Sequence, residues 1–265
     1  MIHTWNVLKA RLGQGHRTSD YPDEAPVLPE RFRGRPVIDD TKCPADCDAC
    51  EKACPTRAIR FDRKIQLDLG RCLFCRECVE ACPEGAIRYS TEHRMATRTR
   101  EDLWIDGKTT ETRLASALDQ KMRSLFGRSL KLRQVAAGDC NGCALEIQAL
   151  NNVVFDLGRF GIQFVASPRH ADGILLTGPI TQNMKLAVQK TYAAVPDPKW
   201  VIAVGACAIS GGPFQGSPAI HRGPDDDIDK KDIPSIDLYI PGCPPHPVTI
   251  LDGLLRLLGR LESGA

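Results

Sequence analysis

The rhythm of hydrophobic and polar positions changes several times along the chain. Residues 1–40 are rich in Pro, Arg and Asp, and only Thr4–Leu12 has a helical spacing, so this stretch reads as an extended N-terminal arm. Residues 41–90 repeat one unit twice. Each half ends in an Ala-Ile pair with a strand-like tail, Pro55-Thr-Arg-Ala-Ile59-Arg-Phe61 and Pro83-Glu-Gly-Ala-Ile87-Arg-Tyr89. The repeat implies a small pseudo-two-fold domain with an apolar set of Ile59, Phe61, Ile65, Leu67, Phe74, Ile87 and Tyr89. Residues 91–131 are charged and helix-biased without a sustained apolar stripe, which predicts a linker with one or two surface helices.

From Leu132 to the end the pattern becomes α/β. Apolar runs at Ile162–Ala166, Gly173–Thr177, Trp200–Gly205 and Leu238–Pro241 predict strands, and Cys143–Asp156, Thr181–Val195 and Pro247–Leu261 predict helices. This alternation indicates a flavodoxin-like, mainly parallel sheet with helices on both faces over residues 132–265. The last helix carries Ile250, Leu254, Leu257, Leu258 and Leu261 on one face. Packing on the sheet is the simpler explanation of that face than a membrane-surface role.

At 265 residues there is room for one small and one ordinary domain. With 35 basic against 33 acidic residues, no basic field supports nucleic-acid binding. The start MIHTWNVLKARLG lacks an apolar core for export, and no segment reaches the ~18 uncharged apolar residues of a membrane span. A soluble protein of a reducing compartment is expected.

Twelve cysteines change the picture. Eight lie in two runs, Cys43-x3-Cys47-x2-Cys50-x3-Cys54-Pro55 and Cys72-x2-Cys75-x2-Cys78-x3-Cys82-Pro83. Two-residue spacing wraps three thiolates around one cubane iron–sulfur cluster, and the fourth, followed by Pro, crosses to the other cube. That rule gives Cys43, Cys47, Cys50 and Cys82 to one [4Fe-4S] cluster, and Cys72, Cys75, Cys78 and Cys54 to a second. Metal coordination would then supply much of the folding energy of so small a unit. Structural zinc is the plainer alternative, but zinc sites normally use separated pairs. The first run has one residue too many, Pro44-Ala45-Asp46. A bulge would leave ligation intact; a three-iron cube, or participation of Asp46, is the alternative.

The other four are Cys140-Asn-Gly-Cys143 opening a helix, Cys207 in a Gly-rich loop after one strand, and Cys243 in Pro241-Gly-Cys-Pro-Pro-His246 after another. Loops at the carboxyl ends of parallel strands are where such folds place their sites. Thiolates at a helix N-terminus favour an anionic ligand or cluster. A third [4Fe-4S] cluster accounts best for all four, with zinc and dithiol chemistry as the alternatives on the residues alone.

The first half resembles two-cluster ferredoxins, and more closely the ferredoxin-like subunit of formate hydrogenlyase and respiratory complex I, whose lead-in is similar to Pro29-Glu-Arg-Phe-Arg-Gly-Arg-Pro36. Residues 132–262 resemble the small subunit of membrane-associated nickel–iron hydrogenases and the corresponding complex I subunit. The matching stretches are Asp139–Ile147, Phe160–Asp172, Leu176–Thr181, the Gly205-Ala-Cys207 loop and Pro241–Pro245. Cys140-x2-Cys143 is the hydrogenase form, whereas Ala144-Leu145 departs from the acidic–apolar pair of that family. The resemblance implies an electron-transfer subunit in which the last four cysteines hold the cluster nearest a large catalytic subunit. It implies relay between a hydrogenase-type large subunit and a redox partner at the ferredoxin-like domain, such as formate dehydrogenase or ferredoxin. The alternative is a complex I-like oxidoreductase without nickel. In both, further membrane subunits would hold the chain at the cytoplasmic face of the membrane, and no complete active site lies in this chain alone.

The remaining candidates weigh less. Glu146, three residues after Cys143, reads equally as part of a proton route or partner interface and as a surface carboxylate. Arg169, His170 and Asp172 lack a nucleophile or second base and are assigned to interface or domain structure. His246 is a candidate for tuning cluster potential through a hydrogen bond. Asp225–Asp232 reads as a solvated loop.

Overall fold

The two tails of the repeat do form strands, but in different sheets. In the computed structural model, which describes residues 2–44, 46–62, 64–108, 114–115, 129–221 and 235–261, helix α1 (Ile2–Gln14) is followed by strand β1 (Pro36–Ile38). Short helix α2 (Ala49–Ala53) leads to β2 (Ile59–Phe61) and β3 (Ile65–Asp68), and α3 (Glu77–Glu80) leads to β4 (Ile87–Tyr89). β4 pairs antiparallel with β1, while β2 pairs with β3 and β3 with β5 (Trp104–Asp106). The small unit thus draws a strand from each side of residues 41–90. All seven expected core residues sit in its apolar cluster, with Phe61 and Tyr89 only partly buried. No α-helix occurs among the described residues of 91–131, and most of that span's expected helical region lies outside them.

The larger unit is a five-stranded parallel sheet. Its strands are β6 (Leu130–Ala136), β7 (Ile162–Phe164), β8 (Gly173–Thr177), β9 (Trp200–Val204) and β10 (Leu238–Ile240), in the spatial order β7-β6-β8-β9-β10. Numbered within the sheet this is 2-1-3-4-5, the flavodoxin-like order. β8 and β9 are buried at every position, as parallel strands covered on both faces must be. Helices α4 (Gly142–Ala149) and α7 (Pro247–Leu257) pack on the face of Leu132, Leu175, Ile202 and Ile240. Helix α5 (Gln182–Ala194) packs through Val188 against Val135, Ile174 and Leu176 on the other. Short helix α6 (Ala206–Ser210) follows β9.

Three helices end where side chains or glycine dictate. α4 stops seven residues before the expected Asp156 because Asn152 Oδ1 accepts the N–H groups of Val154 and Phe155, at 2.8 and 3.0 Å, folding the chain into an Asx turn. α7 ends at Leu257, short of Leu261, where Gly259 at φ +68° lets the Arg260 N–H return to the Leu255 carbonyl. α5 falls one residue inside the expected Thr181–Val195 at each end, where those two residues cap it.

α7 is buried along its whole length, not on one face only. The sheet covers its apolar side, where each fully buried Leu or Ile contributes about 1.5–3 kcal/mol. The arm covers the other side. There Tyr21 Oη donates to Asp252 Oδ1 at 2.8 Å, and Arg256 Nε donates to Asp252 Oδ2 at 2.9 Å, so the helix's two buried charges satisfy one another.

The two units share a core. Ala203, Ala208, Ile209 and Tyr239 of the sheet domain belong to the same apolar cluster as Ile59, Leu67, Leu69, Leu103 and Ile105 of the small one. Thr97 forms an antiparallel bridge to Tyr239, and buried Asp68 accepts both terminal nitrogens of Arg100. The small unit therefore covers the β9–β10 part of the sheet face that α5 leaves open.

Candidate iron–sulfur sites

Each cysteine run wraps around a short helix. Cys43 follows a 3-10 turn capped by Asp39, Cys50 lies in α2 and Cys54 ends it. Cys78 lies in α3. Cys82 stands near the thiols of the first run, and Cys54 lines a cavity with those of the second. Burial raises the Cys43 thiol, and Cys47 and Cys82 add to the shift; burial with Cys43 and Cys82 pushes Cys50 up to about 11. In the second group burial pushes Cys78 up to about 11, reinforced by Cys54 and Cys75, and pushes Cys72 up to about 12. Cys54, Cys72, Cys75 and Cys78 line one cavity together with Ile59, Leu67 and Tyr89.

Backbone amides face the sulfurs as a cluster-binding loop requires. Ala58 N–H donates to Cys54 Sγ and Ala86 N–H to Cys82 Sγ, each at 3.2 Å and each four residues after its cysteine. Phe74 N–H donates to Cys72 Sγ at 3.3 Å. The inserted residue of the first run, Ala45, lies outside the described residues. Asp46 is exposed, whereas the four thiols group without it.

The last four cysteines meet at the carboxyl ends of the strands. Cys140 and Cys143 flank the start of α4, where Asn141 takes φ +69°. Cys207 lies in α6 directly after β9, and Cys243 follows β10. Burial, then Cys207, Cys243 and Cys140, holds the Cys143 thiol far above its ordinary value. Burial with Cys243 and Cys140 pushes Cys207 up to about 12. A Cβ at Gly205 (φ +90°) would stand 2.5 Å from Cys143 Sγ, and one at Gly212 (φ +54°) 2.8 Å from Cys207 Sγ. Only glycine leaves the sulfurs that space. Thiols this buried are poor anions on their own, and bound iron reverses the balance by holding them deprotonated. Donor set, amide bonds and glycine cradle all fit cubane clusters. Among the described residues, no three His, Cys, Asp or Glu side chains close on one point as a single ion would need.

The second group adjoins both others: Cys50 packs in one core cluster with Cys72 and Cys78, and Leu73, which lines the cavity of the second group, also lines one with Cys243. The secondary candidates divide. Glu146 is half-buried, its carboxyl raised by burial, and lines a cavity with Cys243 and His246. His246 is not bonded to a cysteine: its Nδ1 accepts the Val248 N–H at 3.2 Å, capping α7. Asp172 is structural, accepting the Lys131 N–H through Oδ2 at 2.6 Å and so tying β6 to the start of β8, while His170 is exposed. Asp225–Asp232 lies outside the described residues. Thr177 and Asp139, which carry no signal of a role in the sequence, form a pair: Thr177 Oγ1 donates to Asp139 Oδ2 at 2.5 Å and sets the loop before Cys140.

Comparison with known proteins agrees with this arrangement. Residues 42–86 match the 4Fe-4S dicluster domain, and residues 140–257 match the family described as NADH ubiquinone oxidoreductase, 20 Kd subunit. A subunit of the NADH-quinone oxidoreductase of Heliobacterium modesticaldum is 45% identical over 46% of this chain and 67% of its own. A probable membrane-bound hydrogenase subunit from Pyrococcus furiosus is 42% identical over 59% of this chain and 87% of its own. Formate hydrogenlyase subunit 7 from Escherichia coli is 44% identical over 51% of each chain.

Proposed function

The chain belongs to the NADH ubiquinone oxidoreductase 20 Kd subunit family, with a 4Fe-4S dicluster domain preceding the family match, and on that basis we propose that it relays electrons for a nickel–iron hydrogenase of formate hydrogenlyase type. Its large partner subunit would interconvert hydrogen and protons. Its redox partner, a formate dehydrogenase or ferredoxin, would dock at the dicluster domain. Cys140, Cys143, Cys207 and Cys243 hold a [4Fe-4S] cluster towards the large subunit. Cys54, Cys72, Cys75 and Cys78 hold a middle one, and Cys43, Cys47, Cys50 and Cys82 an outer one. When bound, the three cubes supply one-electron transfer.

The protein's own residues do the rest. The shared core and the Thr97–Tyr239 bridge hold the sheet domain against the dicluster domain, and the Asp68–Arg100 pair pins the segment that carries Thr97 to β3. The amides of Ala58, Phe74 and Ala86 stabilise charge on the sulfurs. The observation that carries the reading is the adjacency of the groups, with Leu73 between the middle group and Cys243, and Cys50 in one core cluster with Cys72 and Cys78. Among the described residues no helix is long and apolar enough to cross a membrane, so attachment to the cytoplasmic face of the membrane would come through partner subunits.

A complex I-like complex without nickel, passing electrons to quinone or another acceptor, is the second reading, favoured by the likeness to the NADH-quinone oxidoreductase subunit of Heliobacterium modesticaldum. Metal content of the complex that co-purifies anaerobically with this chain separates the two. About one nickel with roughly twelve or more irons per chain, and hydrogen-dependent dye reduction, is the expected result. Abundant iron without nickel or hydrogen turnover would establish the second reading instead.

A further inference from the structure

The arm segment Pro29–Pro36 has an arginine-rich sequence that the relay does not explain. Its backbone is anchored: Gly34 N–H donates to the Ser90 carbonyl at 2.9 Å and Arg35 N–H to the Glu92 carbonyl at 2.8 Å. From that fixed backbone Arg33 Nη1 donates to the carbonyl oxygen of Cys75 at 3.1 Å. Phe32 stands edge-on to His246, ring centres 5.5 Å apart, so the arm touches both the middle cysteine group and the loop after Cys243. Arg31, Phe32 and Arg33 form one wall of a cavity, opposite Glu146, Cys243 and His246.

Neither Arg31 nor Arg33 has an acidic partner among the described residues, whereas nearby Arg76 faces Glu80 at 3.8 Å. The outer group has the opposite neighbour. There Asp40, whose carbonyl accepts the Cys43 N–H at 3.3 Å, carries a carboxylate 4.0 Å from Lys64. The amide bonds to Cys54 and Cys82 are equal at 3.2 Å, and the middle group also receives the Phe74 amide at Cys72, so the arm's cation adds to an asymmetry the repeat already carries.

We propose that Arg33 sets the reduction potential of the middle cluster, raising it relative to its outer twin through a guanidinium fixed on the Cys75 carbonyl. The inference rests on the proposed ligation of that cluster by Cys54, Cys72, Cys75 and Cys78. Reduction adds one negative charge to the cube, and a fixed cation beside it stabilises the reduced form. Arg33 is solvent-exposed, so screening limits the effect to several-fold. Arg33 is a positioning and potential-setting residue; it takes no part in ligation.

The test is an EPR-monitored redox titration of the intact, anaerobically purified complex, with wild type, Arg33→Met and Arg33→Lys compared at low and high salt. A Cys54→Ser variant identifies the middle cluster's signal by its loss. Arg33→Met is expected to lower the middle cluster's reduced-to-oxidised ratio about five- to tenfold at fixed potential; tenfold equals about 59 mV for one electron. Arg33→Lys should retain most of the wild-type value, the outer cluster should not move, and the shift should shrink at high salt. An unmoved middle cluster, or equal shifts in the Met and Lys variants, would overturn the proposal. A wild-type complex with no signal lost on Cys54→Ser would instead bring down the ligation, and the proposal with it.

Discussion

The sheet domain and the dicluster unit place their thiols by different means. In the sheet domain only Cys143 belongs to the core, while Cys140, Cys207 and Cys243 sit on the rim, before α4, in α6 and after β10, and two apolar faces hold the fold together. In the dicluster unit the strands are three or four residues long, and Cys50, Cys72 and Cys78 are themselves members of the core. That core closes only with help from Leu103 and Ile105 of the following segment and from Ala203, Ile209 and Tyr239 of the neighbour. Loss of a cluster should therefore be a local event in one domain and a structural one in the other.

A pair of ligand substitutions puts the most strain on this contrast. Cys54→Ser and Cys207→Ser should each cost about four irons per chain. Only Cys54→Ser should also weaken hydrogen-exchange protection of β2 and β3, because Cys54 is tied into the middle group and to the Ala58 amide. Protection of β8 and β9 should survive Cys207→Ser. Equal loss in both domains would end the distinction.

A smaller effect comes from the joint. Arg100→Met leaves Asp68, fully buried, without its two-pronged partner. Arg71 at 3.4 Å offers partial compensation, so a cost near the lower end of the ~3–5 kcal/mol for a broken buried pair is expected in chemical denaturation. The dicluster unit should loosen before the sheet. If both melt together with wild-type stability, the pair does not hold the joint.

Acid should act on the opposite seam, where the arm covers α7. Burial lowers His93, against the pull of Asp252 and Glu92 and with help from Arg94 and Arg256; burial and then His93 lower His246. Both rings are thus held neutral in the folded protein. The stability they contribute is complete above the ordinary value of 6.5 and is lost as pH falls through the lowered folded values. Denaturation midpoints recorded from pH 8 down to 5 should fall, and less steeply in His93→Gln.

The mildest substitution is His246→Ala, which removes the cap acceptor for Val248. A loss of about 1 kcal/mol is expected, with the iron content unchanged. Loss of four irons would mean that the ring does more than cap.

Much of the ligand arrangement could be read from spacing, because a cubane dictates local sequence: tight Cys runs, a following Pro, and glycines where backbone meets sulfur. Strand Gly173–Thr177 was equally legible, since burial on both faces demands an unbroken apolar run. β6 was not. Leu130-Lys-Leu-Arg-Gln-Val-Ala places charges at Lys131 and Arg133, and the partnership with β7 and β8 that makes it a strand is remote in sequence. The shared core was hidden for a similar reason. Ala203, Ala208 and Tyr239 bear no local mark of a second domain resting on them. His246 looked like a tuner because it lies near Cys243 in sequence, but the nearest donor in space is the helix it caps.

The proposed relay depends on three four-thiolate groups, each holding a cube. Iron and acid-labile sulfide per chain in the anaerobically isolated protein, measured beside zinc, decide whether they do. About twelve of each with negligible zinc is the expected result, falling to about eight in Cys207→Ser. About eight in the wild type, or stoichiometric zinc, would mean that the third cube, or all of them, is wrong.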